Sequence, residues 1–202
     1  MTRIPTAEQI ARALQLKGYS VFDTPEGYNL NIVGIRAATA KPDSFDDLLC
    51  LFHRRGAAWM YQAFPATTDP GLFWLQNPMA VEGTAILKPG QYFGAFKLGL
   101  HQGKYEALVQ NSPLTVYRDN DRDNQIDTAG MKEQTGMFGI NIHHAAAQGA
   151  SVQVGKWSAG CQVVASYLDF MVLLDICKAA AQGHGSTYTY TLIEERDLGV
   201  VQ

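Results

Sequence analysis

Hydrophobic positions along the chain change period several times, and each change marks an expected element. Thr6 stands three residues before Gln9, a capping-box pair, and Ile10 and Leu14 then fall on one helical face. This predicts a helix over Ala7–Leu16, stopped near Gly18. The segment YNLNIVGIR, 28–36, alternates in part and reads as a strand. Residues 46–54 and 57–64 are rich in Leu, Phe, Trp and Tyr on either side of Arg55-Gly56, so two strands joined by a hairpin are expected. A helix through DDLLCLFHRR is the competing reading. Pro70-Gly71 sets a bend, and strand-like runs follow at 72–75, 84–87, 92–98 and 105–109.

Further on, Met137, Phe138, Ile140 and Ile142 surround small or polar residues with no helical period, which predicts a buried strand ending at His143 and His144. Alternation sends those two rings to opposite faces. Ser166 and Asp169 form a second cap pair, and 167–181 is apolar nearly throughout, so a helix ending at Gly183 should bury Cys177. STYTYTL then opens a last strand over 187–194. Many short strands with two helices predict a mainly β domain of the α+β class. The length suits a single domain, 1–202, with a helix and strand-rich portion over 1–80 and a second portion over 81–195.

Charge narrows the function. Sixteen Lys and Arg against 19 Asp and Glu leave a net charge of −3 with no basic stripe, so nucleic-acid binding is not expected. No apolar run approaches the ~20 residues of a membrane span, so no membrane insertion is expected either. The opening MTRIPTAEQIARALQLKGY lacks the continuous apolar core of a secretory signal. Three cysteines, Cys50, Cys161 and Cys177, are an odd number and point to free thiols rather than a disulfide framework.

The chemistry concentrates in GMFGINIHHAAAQGASVQVGKWSAGCQVV, residues 136–164. A thiol attacks as thiolate, and a neighbouring imidazole that takes its proton gives an ion pair expected to persist at neutral pH. Ser158 to Cys161 forms a tight turn in which Gly160 has no Cβ to obstruct a substrate carbonyl. The amides of Gly160 and Cys161 are the expected oxyanion donors.

These residues resemble the L,D-transpeptidase catalytic domain, a β-rich family of cysteine enzymes acting on peptidoglycan stem peptides. The family places a histidine at a strand end and, sixteen to nineteen positions later, Ser/Thr-His-Gly-Cys. Here His143 precedes Cys161 by 161 − 143 = 18 positions, and the turn reads Ser-Ala-Gly-Cys. The chain departs at Ala159, where the family has histidine, and at Val163, where it often has Arg or Asn. The resemblance implies Cys161 as nucleophile, His143 as base and Gly160 in the oxyanion turn. It implies a β-sheet assembly with a long helix after the cysteine, an L,D-peptide bond as target, and no required cofactor. Without a signal peptide, such an enzyme would reach the wall by lysis, as a phage lytic enzyme does, or by a dedicated export route.

Around this pair, Ser158 is expected to brace the turn, and His144 and Gln162 to orient the base or meet substrate. His101, in GLHQGKY, is read either as a substrate contact overhanging the site or as a solvated turn. A separate acidic stretch, 117–127, places Asp119, Asp121, Asp123 and Asp127 at positions 1, 3, 5 and 9 of an EF-hand-like calcium pattern. Gln125 offers a carbonyl at position 7, and Asn124 stands where the pattern has glycine. A structural calcium, or a solvated acidic turn, accounts for it. The alternative to an enzyme is a non-catalytic calcium-binding structural or interaction module of the same fold.

Overall fold

The computed structural model describes residues 4–25, 28–38, 41–126 and 128–199. α1 (Ala7–Leu16) starts as expected: the Gln9 amide donates to Thr6 Oγ1, and the Thr6 amide donates to Gln9 Oε1. Three strands follow, β1 (Asn31–Arg36), β2 (Asp47–Arg55) and β3 (Ala58–Thr67), with β2 and β3 forming the expected hairpin. Next come a short α2 (Leu72–Gln76), β4 (Thr84–Leu87), β5 (Gly90–His101), β6 (Tyr105–Gln110), β7 (Leu114–Asp119) and β8 (Lys132–Gly136). The chain closes with β9 (Ile142–His144), β10 (Gln162–Val164), α3 (Tyr167–His184) and β11 (Thr187–Glu194).

Eight strands close into a barrel in the order β1-β11-β5-β6-β9-β10-β3-β2, and β4-β7-β8 make a separate three-stranded sheet. Barrel closure depends on its two shortest members. β9 and β10 run parallel, with Ile142 opposite Gln162 and Val163 opposite His143, and they bridge β6 to β3.

One core joins these layers. Ile32, Leu51, Leu108, Ile142, Val164 and Leu192 of the barrel pack in the same buried cluster as Leu87 and Val116 of the small sheet and Phe170 and Leu174 of α3. A second cluster lies beneath α1, where Ile10 and Leu14 pack with Val33, Ile35, Leu48, Cys50 and Phe52. β1 and β2 are therefore buried on both faces, which is why they read as near-continuous apolar runs rather than alternating ones.

Three regions differ from the sequence expectation. Residues 72–75 are helical, not extended: the amides of Trp74 and Leu75 both donate to Gly71 O, and Trp74 Nε1 donates to Lys156 O at 3.0 Å. Four consecutive apolar residues carry no period that separates strand from helix. The buried strand expected before His143 is reduced to Ile142–His144, because the Phe138 and Ile140 amides are satisfied by the Gln110 side-chain oxygen at 2.9 and 3.1 Å. Lastly, the acidic stretch connects two strands that the sequence reading does not place, β7 and β8, and Asp119, rather than lying in a solvated turn, is the buried last residue of β7. Among the described residues no helix is long and apolar enough to cross a membrane.

Candidate active site

The parallel pairing of β9 with β10 places the cysteine. Gln162 N donates to Asn141 O at 2.9 Å, so Cys161 lies beside Asn141 one step before the ladder begins. The Asn141 amide points at Cys161 Sγ, 3.4 Å away, and the thiol faces Gly139 O at 3.7 Å. Two residues along the same strand face is His143, buried at 2% exposure. Its Nδ1 lies 2.7 Å from His144 O and 3.3 Å from the Tyr105 hydroxyl. A carbonyl can only accept, so Nδ1 carries the proton and Nε2 holds the lone pair. That Nε2 is buried and makes no hydrogen bond of good geometry among the described residues, while the Trp157 carbonyl also acts on the ring. Cys161 and His143 line one cleft of about 590 Å³.

Each remaining candidate has a definite place. His101 is the last residue of β5 and only 8% exposed, so it is no solvated turn. It stacks on His143 with ring centroids 4.1 Å apart, and its Nδ1 accepts from Asn141 Nδ2 at 2.9 Å. Ser158 accepts from the Gly160 amide at 3.2 Å and donates to Cys161 O at 2.8 Å, which locks the turn. Gln162 does not reach the cleft. It is fully buried, donating to Gly160 O and accepting from the Tyr190 hydroxyl at 2.7 Å, and so supports the turn from below. The His144 ring packs on Tyr105, Tyr167 and Phe170, and it is the backbone carbonyl of this residue that fixes the His143 ring.

Gly160 differs from the expectation in two ways. Its amide donates to Ser158 Oγ at 3.2 Å and is not free to serve as one of the two expected oxyanion donors. Its missing Cβ makes room for protein rather than substrate: a Cβ there would sit 2.5 Å from Ala85 O of β4. The β4 backbone thus backs the nucleophile turn directly.

Charge also differs. Burial pushes the Cys161 thiol up to about 11. Burial, with the neighbouring His101 ring second, pulls His143 down to about 3, against the opposing pull of the His144 and Trp157 carbonyls. Both shifts favour neutral thiol and neutral imidazole over the expected ion pair, because burial withholds much of the solvent that would stabilise two separate charges, although the thiol keeps some exposure at the cleft.

A pH consequence follows. Folded His143 stays neutral down to about pH 3, whereas in the unfolded chain it protonates near its ordinary 6.5. Its contribution to stability is complete above 6.5 and is lost as pH falls toward 3. His143→Gln cannot titrate, so in urea unfolding its stability difference between pH 7 and pH 4.5 should be smaller than the parent's by about 2 kcal/mol. An unchanged difference would contradict the burial argument.

The acidic hairpin loop is held by hydrogen bonds among its own residues. Asp121 Oδ1 accepts from the Asp123 amide, and Asp123 accepts from both the backbone and side-chain amides of Gln125 at 2.8 Å. Asn124 adopts the left-handed conformation, φ 70°, that the calcium pattern asks of this position. Still, no three acidic, histidine or cysteine groups converge on a metal position among the described residues, and Asp127 lies outside them.

Asn141, Tyr105 and the Trp157 carbonyl are site groups that reading the chain alone misses. Asn141 was within reach, since period two from His143 puts it on the same face. Tyr105 comes from the β5–β6 hairpin, 38 residues from His143, with no local signal. No protein-family model matches this chain, and no curated protein or solved structure does either.

Proposed function

We propose that the chain is a cysteine-dependent acyl-transfer enzyme that cleaves or exchanges an L,D-peptide bond in peptidoglycan stem peptides. The observation that carries this reading is the cleft that Cys161 and His143 line together, with the buried His143 ring fixed by its Nδ1 contact to His144 O. A buried imidazole with no hydrogen bond of good geometry at Nε2, in a cleft it shares with a thiol, is placed to take a proton.

The chemistry runs from neutral partners. As Cys161 Sγ attacks the substrate carbonyl carbon, its proton passes to His143 Nε2, and the carbonyl electron pair moves onto oxygen, facing the Cys161 N–H. Collapse of that intermediate breaks the carbon–nitrogen bond, and Nε2 returns the proton to the leaving amine. Water or an acceptor amine then attacks the thioester, Nε2 takes its proton, and the thiol is restored. Charges on sulfur and imidazole develop together within one cleft and offset each other, so the perturbed resting values do not forbid the step. The peptidoglycan substrate rests on the resemblance of the His143 to Cys161 spacing and the Ser-Ala-Gly-Cys turn to the L,D-transpeptidases.

Mass spectrometry of defined muropeptides, incubated with the protein and with Cys161→Ala, tests the reading. Loss or exchange of a terminal D-amino acid, or opening of a cross-link, is expected with the intact thiol alone, and chelator should leave the rate unchanged. Muropeptides left untouched by the folded protein would overturn the substrate.

A further inference from the structure

The cleft carries a charge that neither the composition nor the cysteine chemistry requires. The protein is net negative, yet the residues lining the cleft include Arg118 and Lys156 and no carboxylate. Neither cation forms an ion pair among the described residues.

Arg118 is, moreover, built into place. It projects from β7, where its neighbour across the ladder is Ala85, the same residue that backs Gly160. Its Nε donates to Gln134 Oε1 at 2.8 Å, its Nη1 donates to Gly83 O at 3.1 Å, and the guanidinium lies 4.7 Å from the centre of the Phe138 ring. Of the five guanidinium N–H groups, two are used by neutral acceptors, which leaves three for a ligand and the full charge uncompensated. Lys156 belongs to the loop before Cys161, with Nζ 4.1 Å from the Phe73 ring centre and its carbonyl held by Trp74 Nε1. A planar, oriented fork in one cleft with a point charge suits a carboxylate, which takes two parallel N–H donors from one guanidinium.

We propose that Arg118, assisted by Lys156, is the anion-binding subsite of the cleft and holds a free carboxylate of the acyl-donor peptide while Cys161 attacks. The peptide nature of the ligand rests on the function proposed above; the anion subsite itself does not.

Alkylation of Cys161 separates the two. Iodoacetate and iodoacetamide have similar size and differ in charge, and Cys50 and Cys177 are buried, so peptide mapping can follow the one partly exposed thiol. The ratio of the iodoacetate rate to the iodoacetamide rate should fall about threefold or more in Arg118→Gln, with a smaller fall in the exposed Lys156→Gln. Arg118→Lys, which keeps the charge and loses the fork, should lie between parent and Arg118→Gln. Should Arg118→Gln fail to fold, Lys156→Gln and Arg118→Lys carry the test. Ratios equal to the parent's in the folded variants overturn the subsite, even for a protein that turns over muropeptides. A fallen ratio in a protein that leaves muropeptides untouched supports the subsite and removes only the peptidoglycan substrate.

Discussion

Turnover of muropeptides is expected to fall by about a thousandfold or more in Cys161→Ala, by a similar factor in His143→Gln, and by no further factor when the two are combined. The reason is that the proposed mechanism has the two side chains perform one step. Without the sulfur, Nε2 has no thiol proton to take; without Nε2, the thiol must lose its proton from a state in which burial already holds it to about 11. At neutral pH an unassisted thiol with that value is almost wholly protonated, so the loss in His143→Gln should shrink as pH rises. The fold should survive Cys161→Ala, because Sγ only accepts from the Asn141 amide at 3.4 Å and faces Gly139 O at 3.7 Å, contacts worth about 1 kcal/mol together. Steady-state rates from chromatography of muropeptides, with urea unfolding of each variant, check both parts. Retained turnover in Cys161→Ala would remove the nucleophile, and losses that multiply in the double variant would mean that the two residues act in separate steps.

The legibility of this site in the chain depended on how far apart its parts are. α1, the β2–β3 hairpin, β4 and β11 were readable because capping boxes and alternating or doubly buried runs are local signals. That Cys161 and His143 share one cleft was readable because spacing along one chain segment carries their relation. What lay beyond reach was the partnering of distant side chains with backbone. Gln110 satisfies the amides of Phe138 and Ile140 in place of a neighbouring strand, which is why the expected strand shortens to three residues. The polar KEQTG of β8 has no apolar alternation at all and is a strand only because β7 pairs with it. The ionisation of the pair was misread for a similar reason. A cysteine and a histidine written as sequence carry their solution chemistry, whereas the burial that keeps both neutral arises from the barrel wall and from His101, 42 residues away.

The dependence of the nucleophile on the second sheet predicts the largest stability effect. Gly160→Ala should destabilise the protein by about 3 kcal/mol or more and slow any turnover that remains. Two costs combine there. Gly160 has φ 119°, a conformation that L side chains rarely adopt, and its Cβ would lie 2.5 Å from Ala85 O. The obstacle is backbone in the middle of a ladder, since Ala85 pairs with Arg118, so it cannot yield as a side-chain tip would without straining β4 against β7. The turn must shift instead, and the Ser158 contacts to Gly160 N and Cys161 O, which aim the thiol and its own amide, shift with it. Gly18→Ala separates the two costs. Gly18 has φ 73° with no atom within 4 Å of its would-be Cβ, so it carries the conformational cost alone, about 1 kcal/mol. Urea midpoints for the pair give the difference. If Gly160→Ala costs no more than Gly18→Ala, the contact with β4 is not a brace and the small sheet has no part in holding Cys161. If it costs severalfold more, the small sheet is a structural element of the active site, and Arg118, on the strand paired with β4, is tied to the same support as the nucleophile.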